Sequence, residues 1–127
     1  MAVTMLVVDD EPDVIDLFKR QFRRELKRGE VVLHFADSGE NALHKLKTGL
    51  EPEIMLILSD INMPGISGID LLKTSKQLWP RLPVTMITAY GDDDSRRSAL
   101  EAGATDFLTK PLDFSELKAK LADLIAE

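Results

Sequence analysis

The chain has 127 residues, a net charge of −6, a hydrophobic fraction of 44% and a charged fraction of 30%, which fits one soluble domain over residues 1–127 with a single core. The absence of cysteine excludes disulfides and thiolate metal sites and makes a reducing, cytoplasmic setting the expected one. The acidic balance argues against direct nucleic-acid binding, which needs a basic face, and no apolar run approaches the ~20 residues of a membrane span.

The N-terminal stretch lacks the basic start and cleavage site of a signal peptide and reads as a strand, with its apolar run at Met5–Val8, ending in Asp9-Asp10-Glu11. A helix is expected from about Pro12 to Lys27, with Val14, Ile15, Leu17, Phe18, Phe22 and Leu26 on one face; Pro12 suits its first turn and Gly29 its stop. A second strand, Val31–Ala36, ends in Asp37. The second helix follows Ser38 as N-cap, with Ala42, Leu43 and Leu46 inward. The third strand, Ile54–Leu58, leads into Asp60 and the segment Ile61-Asn62-Met63-Pro64-Gly65. The third helix starts near Ser67, carries Ile69, Leu71, Leu72 and Leu78, and stops before Pro80. Val84–Thr88 is the fourth strand, followed by Ala89. The fourth helix opens at Asp92–Asp94 and closes at Gly103; its stretch Arg96–Ala102 has few large apolar anchors, chiefly Leu100. The fifth strand, Asp106–Leu108, precedes Lys110-Pro111, a bond expected to be cis because the chain turns sharply there. The last helix runs from Asp113 to the end, with Ser115 as a start signal and Leu117, Leu121, Leu124 and Ile125 inward.

Strand runs that are apolar at nearly every position belong to a parallel sheet buried on both faces. Their alternation with helices predicts a three-layer α/β/α sandwich. A flavodoxin-like five-stranded sheet of order 2-1-3-4-5 fits five such units, partly by analogy of fold.

In open sheets of this kind ligands bind outside the carboxyl ends of the strands. Strands one and three end in carboxylates, strand four in a hydroxyl and strand five in a lysine. Clustered carboxylates repel by roughly 4 kcal/mol at ~4 Å and an effective dielectric of 20, and a hard divalent cation relieves this. Mg²⁺ takes oxygen ligands, keeps several waters and is commonly completed by phosphate. A carboxylate that attacks phosphorus forms an aspartyl phosphate, and a lysine and a hydroxyl can stabilise the equatorial charge that develops.

Asp9-Asp10, Asp60 with Met63-Pro64-Gly65, Thr88-Ala89 and Lys110-Pro111, in order at successive strand ends, resemble the receiver domain of two-component response regulators over essentially the whole chain. The resemblance implies that Asp60 is the phosphoacceptor and that Asp9, Asp10, Asp60 and the backbone carbonyl of Asn62 hold Mg²⁺. It implies that Lys110 pairs with Asp60 or the phosphate, that the Thr88 hydroxyl and the Ala89 amide bind the phosphate, and that Thr88 and Phe107 form the switch. Phe107 stands where the family often has tyrosine, so the packing change is kept and the hydroxyl lost. Asn62 and Tyr90 occupy the positions that tune dephosphorylation, and the Tyr90 ring is expected to crowd the attacking water. The partners implied are a sensor histidine kinase or a phosphotransfer protein. The output face implied is the fourth helix, fifth strand and last helix, with the output partner unassigned. Such a chain is a switch rather than an enzyme.

Plainer readings account for several of these residues individually. Glu11 and Asp13 are acids favourable at a helix N-terminus, Thr88 is a common strand residue, and Phe107 can be plain core. His34 and His44 lie away from the acidic end and read as structural. Arg20, Arg23, Arg24, Lys27 and Arg28 read as a solvated face. Three other functions stay open at this level. A haloacid-dehalogenase-type Mg²⁺ phosphatase would need Asp-x-Asp after strand one and a cap domain. A flavodoxin-like cofactor binder would need a hydroxyl- and glycine-rich loop where Asp9-Asp10-Glu11-Pro12 stands. A pseudo-receiver would bind a partner without phosphorylation.

Overall fold

The protein's structure, a computed structural model, describes residues 3–49, 56–63, 65, 67–89 and 92–126, with side chains given up to Asp123. The expectations for Ile54 and Met55, Pro64, Tyr90, and the inward side chains of Leu124 and Ile125 lie outside this description.

The elements run β1 (Val3–Val8), α1 (Asp13–Gln21), α2 (Arg23–Lys27), β2 (Val31–Ala36), α3 (Gly39–Thr48), β3 (Leu56–Asp60), α4 (Gly68–Leu78), β4 (Val84–Thr88), α5 (Asp93–Glu101), β5 (Asp106–Thr109) and α6 (Phe114–Ala126). The five strands form one sheet in the order β2-β1-β3-β4-β5, and every neighbouring pair is parallel. Side chains alternate across a strand, so β1 sends Met5 and Val7 into one apolar layer and Leu6 and Val8 into the other. The first layer also holds Phe18, Phe22, Leu58, Leu117 and Leu121. The second holds Ala42, Ile57, Leu71, Leu72, Met86 and Ala99. Helices α1 and α6 thus cover one face and α3, α4 and α5 the other, which is why the central strands are apolar throughout. Among the described residues no helix is long and apolar enough to cross a membrane.

The single first helix expected over Pro12–Lys27 is two helices joined at Phe22, whose backbone leaves helical values at φ −102° and ψ 18°. Neither glycine nor proline stands there, so the periodicity carries no sign of the break. The ring at the break is fully buried, stacked on Phe18 at 6.0 Å and edge-on to Phe114 at 6.1 Å. Among the other expected inward residues of this segment, Val14 and Leu26 pack against the core, while Ile15 and Leu17 stay part-exposed.

Ser38 and Ser67 cap α3 and α4 as their sequence positions suggest, accepting from the N–H groups of Asn41 and Asp70. At α6 the cap is Asp113, whose Oδ1 accepts from the N–H groups of Ser115 and Glu116; Ser115 itself lies one residue inside the helix. Two leucines expected to anchor helices do not. Leu78, at the last turn of α4, is 49% exposed, and Leu100 on α5 is 52% exposed. Helix α5 is held by small residues instead, with Ala99 buried and Ala102 and Ala104 packed against the second layer. The Lys110–Pro111 bond is cis.

Candidate functional site

Strand β1 delivers Asp9 at its carboxyl end, where the side chain is only 9% exposed and its Oδ1 accepts from the N–H of Glu11 at 2.9 Å. Asp10, one residue on, faces solvent. The neighbouring strand β3 ends in Asp60, which is 5% exposed. Oxygens of Asp9, Asp10 and Asp60 lie within 4.8 Å of one another. Parallel register brings about this convergence: Val8 pairs with Ser59, so the next residue of each strand emerges at the same height.

Asp60 sits between two donors. Its Oδ2 is 2.9 Å from Lys110 Nζ, and its Oδ1 accepts from the N–H of Asn62 at 3.2 Å. Lys110 stands directly beyond β5, and its N–H donates to the Thr88 carbonyl at 2.8 Å, which fixes its backbone at the strand ends. Burial alone would lower the Lys110 pKa. The hydrogen bond to Asp60 and the charges of Asp60, Asp9 and Glu11 outweigh it and hold the ammonium above its ordinary value. For Asp9, burial is the largest influence and raises its pKa. The Glu11 N–H opposes it, the Asp60 charge adds to it and Lys110 opposes it, and the result is a carboxyl above its ordinary value. Such a group is relieved by an added positive charge. The donor set is all hard oxygen, crowded and partly buried, and it fits a divalent ion of the Mg²⁺ kind.

Thr88 is 1% exposed, and its hydroxyl donates to the Leu108 carbonyl at 3.5 Å, a long bond that is easily exchanged. Ala89 follows it at the strand end. Phe107 is half-buried against the second apolar layer, and the Arg96 guanidinium carbon lies 3.8 Å above its ring centroid. Asp37, at the end of β2, is exposed and takes no part in the carboxylate cluster. His34 has a buried Nε2 without a hydrogen-bond partner among the described residues.

Two neighbours of the site are not legible from residue types. A Cβ on Gly68 would lie 2.2 Å from the Asp60 carbonyl oxygen and 2.7 Å from the Ile61 Cα, so α4 can start against the strand end only because position 68 is glycine. Arg96 meets Phe107 from a different element, and its place on an acidic, polar helix reads as solvated. A glycine opening a helix after a serine cap is the only local signal for the first; the second has none.

Fold and site together define a flavodoxin-like α/β protein with a buried, lysine-paired aspartate among acidic neighbours. The family model described as the response regulator receiver domain matches residues 5–122. PilR of Pseudomonas aeruginosa, a response regulator protein, is 39% identical over 117 residues, which are 92% of this chain and 25% of that protein. ZraR of Escherichia coli, a transcriptional regulatory protein, is 38% identical over 127 residues, 98% of this chain and 26% of its own length. The receiver domain of NtrX from Brucella abortus matches with a TM-score of 0.81 at 30% identity, covering 96% of this chain and 98% of that one. This chain belongs to the response-regulator receiver family and is a receiver domain of two-component signal transduction. It spans about a quarter of the length of these two curated relatives.

Proposed function

We propose that Asp60 is the residue that accepts the phosphoryl group, with Asp9, Asp10, Asp60 and the Asn62 carbonyl holding Mg²⁺. The observation that carries this reading is the buried Asp60 carboxylate, 2.9 Å from Lys110 Nζ and within 4.8 Å of the oxygens of Asp9 and Asp10. An Asp60 oxygen attacks phosphorus, an O–P bond forms, and the bond from phosphorus to the donor breaks. Bound Mg²⁺ supplies neutralisation of the charge on the transferring group. Lys110, already paired with Asp60, follows the charge onto the phosphoryl oxygens. The Thr88 hydroxyl exchanges its long bond to Leu108 for a phosphoryl oxygen, the Ala89 N–H adds a second donor, and Phe107 fills the space that Thr88 vacates. The exposed face of α5, β5 and α6 then reports the change, by biasing an existing equilibrium rather than making a new fold.

The donor is a sensor histidine kinase or a phosphotransfer protein, and the setting is cytoplasmic. The chain acts as a switch and not as a turnover enzyme. Asn62 and Tyr90 set how long the phosphate lasts, Tyr90 by the bulk of its ring. PilR and ZraR carry names of regulators and are about four times longer than this chain; coupling to a transcriptional output is the matching role.

Acetyl phosphate with Mg²⁺ should add about 80 Da, one phosphoryl group on a carboxylate, to the intact native chain. Asp60→Asn should remain unlabelled. Equal labelling of that variant would place the acceptor elsewhere.

A further inference from the structure

Phe18 and Phe22 fix which side of α1 and α2 faces the core. With about 3.6 residues per turn, the opposite side carries Asp13, Asp16, Arg20, Arg24 and Lys27, all exposed. The break at Phe22 does not interrupt this stripe: the N–H of Phe22 still donates to the Phe18 carbonyl at 2.9 Å, and the N–H of Leu26 to the Phe22 carbonyl at 2.8 Å. Leu17, expected to point inward, is part-exposed at the middle of the stripe. It lines an open hollow with Glu11, Asp13, Val14, Asp16 and Arg20. The acids thus stand at the amino-terminal end and the cations at the carboxyl-terminal end. Among the described residues none of these acids and cations forms an ion pair; those of the region join Lys118 to Glu25 and Arg28 to Glu30.

We infer that this stripe is a self-complementary surface on which a second copy of the chain docks, with the two α1 helices antiparallel across a twofold axis. An isologous contact requires that each residue meet its counterpart in both directions. Antiparallel pairing centred near Phe18 and Lys19 sets Asp13 opposite Arg24 and Asp16 opposite Arg20 in both directions, and brings Glu11 toward Lys27. Leu17 of each copy then lies beside the axis, where the apolar stem of Arg20 can cover it. A parallel arrangement would set like charges face to face. A polyanion, nucleic acid or acidic peptide, would satisfy the cations and press its own charge on Asp13 and Asp16. A partner that matches the whole stripe carries both signs in reversed order, as an antiparallel second copy does. A contact this small and charged belongs with weak, transient encounters, and it weakens with salt.

A plainer account is the helix macrodipole, which favours acids at the start of a helix and cations at its end. That effect acts within one chain. It changes stability and leaves the mass unchanged, so the state of association separates the two. Sedimentation equilibrium at protein concentrations up to about 1 mM, the range of weak affinities, should show a mass that rises above that of one chain. The rise should occur in about 0.01 M salt and fade in about 1 M, where the Debye length drops from about 30 Å to about 3 Å. Amide shifts that grow with concentration should fall within residues 11–27. Asp13→Arg with Asp16→Arg, and separately Arg20→Glu with Arg24→Glu, should each weaken association at least about 10-fold, because like charges then face each other. All four changes together restore opposite signs and the native net charge, and should return association to within about 3-fold of native. Circular dichroism checks that each variant folds; if a reversed chain does not, Asp13→Asn with Asp16→Asn decides, and should weaken association without repulsion. A native chain that stays monomeric in low salt overturns the inference, including one whose same amides shift on adding polyglutamate or duplex DNA, which would mark a polyanion site instead. Association that the altered chains leave unchanged, or that the fourfold variant does not restore, also overturns it, since another face then carries the contact.

Discussion

Replacing Asp9 by asparagine should stabilise the metal-free protein. Asp9 and Asp60 are both nearly buried and offer oxygens within 4.8 Å. Two unit charges at that separation repel by about 3.5 kcal/mol at an effective dielectric of 20 and by about 0.9 kcal/mol in water. Asparagine removes the repulsion and the cost of burying a charge, while its Oδ1 can still accept from the Glu11 N–H. It also forfeits the attraction to Lys110, which offsets part of the gain. A net gain of about 1 kcal/mol remains, or roughly 3–5 °C in Tm for a domain of this size. The sign with pH comes from the raised Asp9 pKa. Folded Asp9 holds its proton more tightly than the unfolded chain does, so native stability falls as pH rises from the unfolded value through the folded one. The advantage of Asp9→Asn should therefore be full near neutrality and vanish in acid, below 3.8. Mg²⁺ should narrow the difference: at ten times its dissociation constant the native chain gains about 1.4 kcal/mol, and a variant that binds about 10-fold more weakly gains only about 0.4 kcal/mol. The assay is thermal unfolding by circular dichroism, in EDTA and in excess Mg²⁺, across pH. An Asp9→Asn chain no more stable than native in EDTA at neutral pH would refute the electrostatic reasoning.

Gly68→Ala should be among the most damaging single changes: its Cβ would meet the Asp60 carbonyl oxygen at 2.2 Å, and because backbone cannot yield cheaply the expected loss exceeds about 3 kcal/mol in chemical denaturation. A loss below about 1 kcal/mol would mean that the start of α4 shifts freely. Arg96→Ala should cost about 0.5–1 kcal/mol, as expected for an exposed cation over a ring, and should shift the Phe107 ring protons in NMR spectra; unmoved ring resonances would show that the contact does not hold the ring. For Glu25, burial alone would raise its pKa, but the hydrogen bond and charge of Lys118, 2.9 Å away, and its own backbone hold it below its ordinary value. That contribution is present above 4.5 and lost as pH falls through the folded pKa. Lys118→Met should thus destabilise by less than about 1 kcal/mol at neutral pH, the difference closing in acid, and a difference that persisted there would point instead to the lost ammonium, which stands 5.2 Å from the Phe22 ring centroid.

The strand-end residues of the site are legible in the sequence because they rest on local, repeated signals, whereas the order of the sheet came partly by analogy of fold. Parallel strands buried on two faces must be apolar throughout, as Leu6–Val8 and Ile57–Leu58 are, and each run ends at a residue with chemistry. Asp9, Asp60, Thr88 and Lys110 can therefore be located from the carboxyl ends of the strands alone. Tertiary structure decided the features that depend on partners far along the chain. The break at Phe22 carries no local breaker and falls where its ring meets Phe18 and Phe114. Leu78 has the right spacing for an inner face of α4 and remains half-exposed, since helical periodicity identifies an apolar stripe but not how far along the helix the core extends; Leu100, the one large apolar residue of α5, is half-exposed while its neighbour Ala99 is buried. Gly68 against the Asp60 carbonyl and Arg96 over Phe107 are meetings between elements. Residue type and spacing do not encode such contacts; they arise only when the sheet and its helices fix the distance between chains.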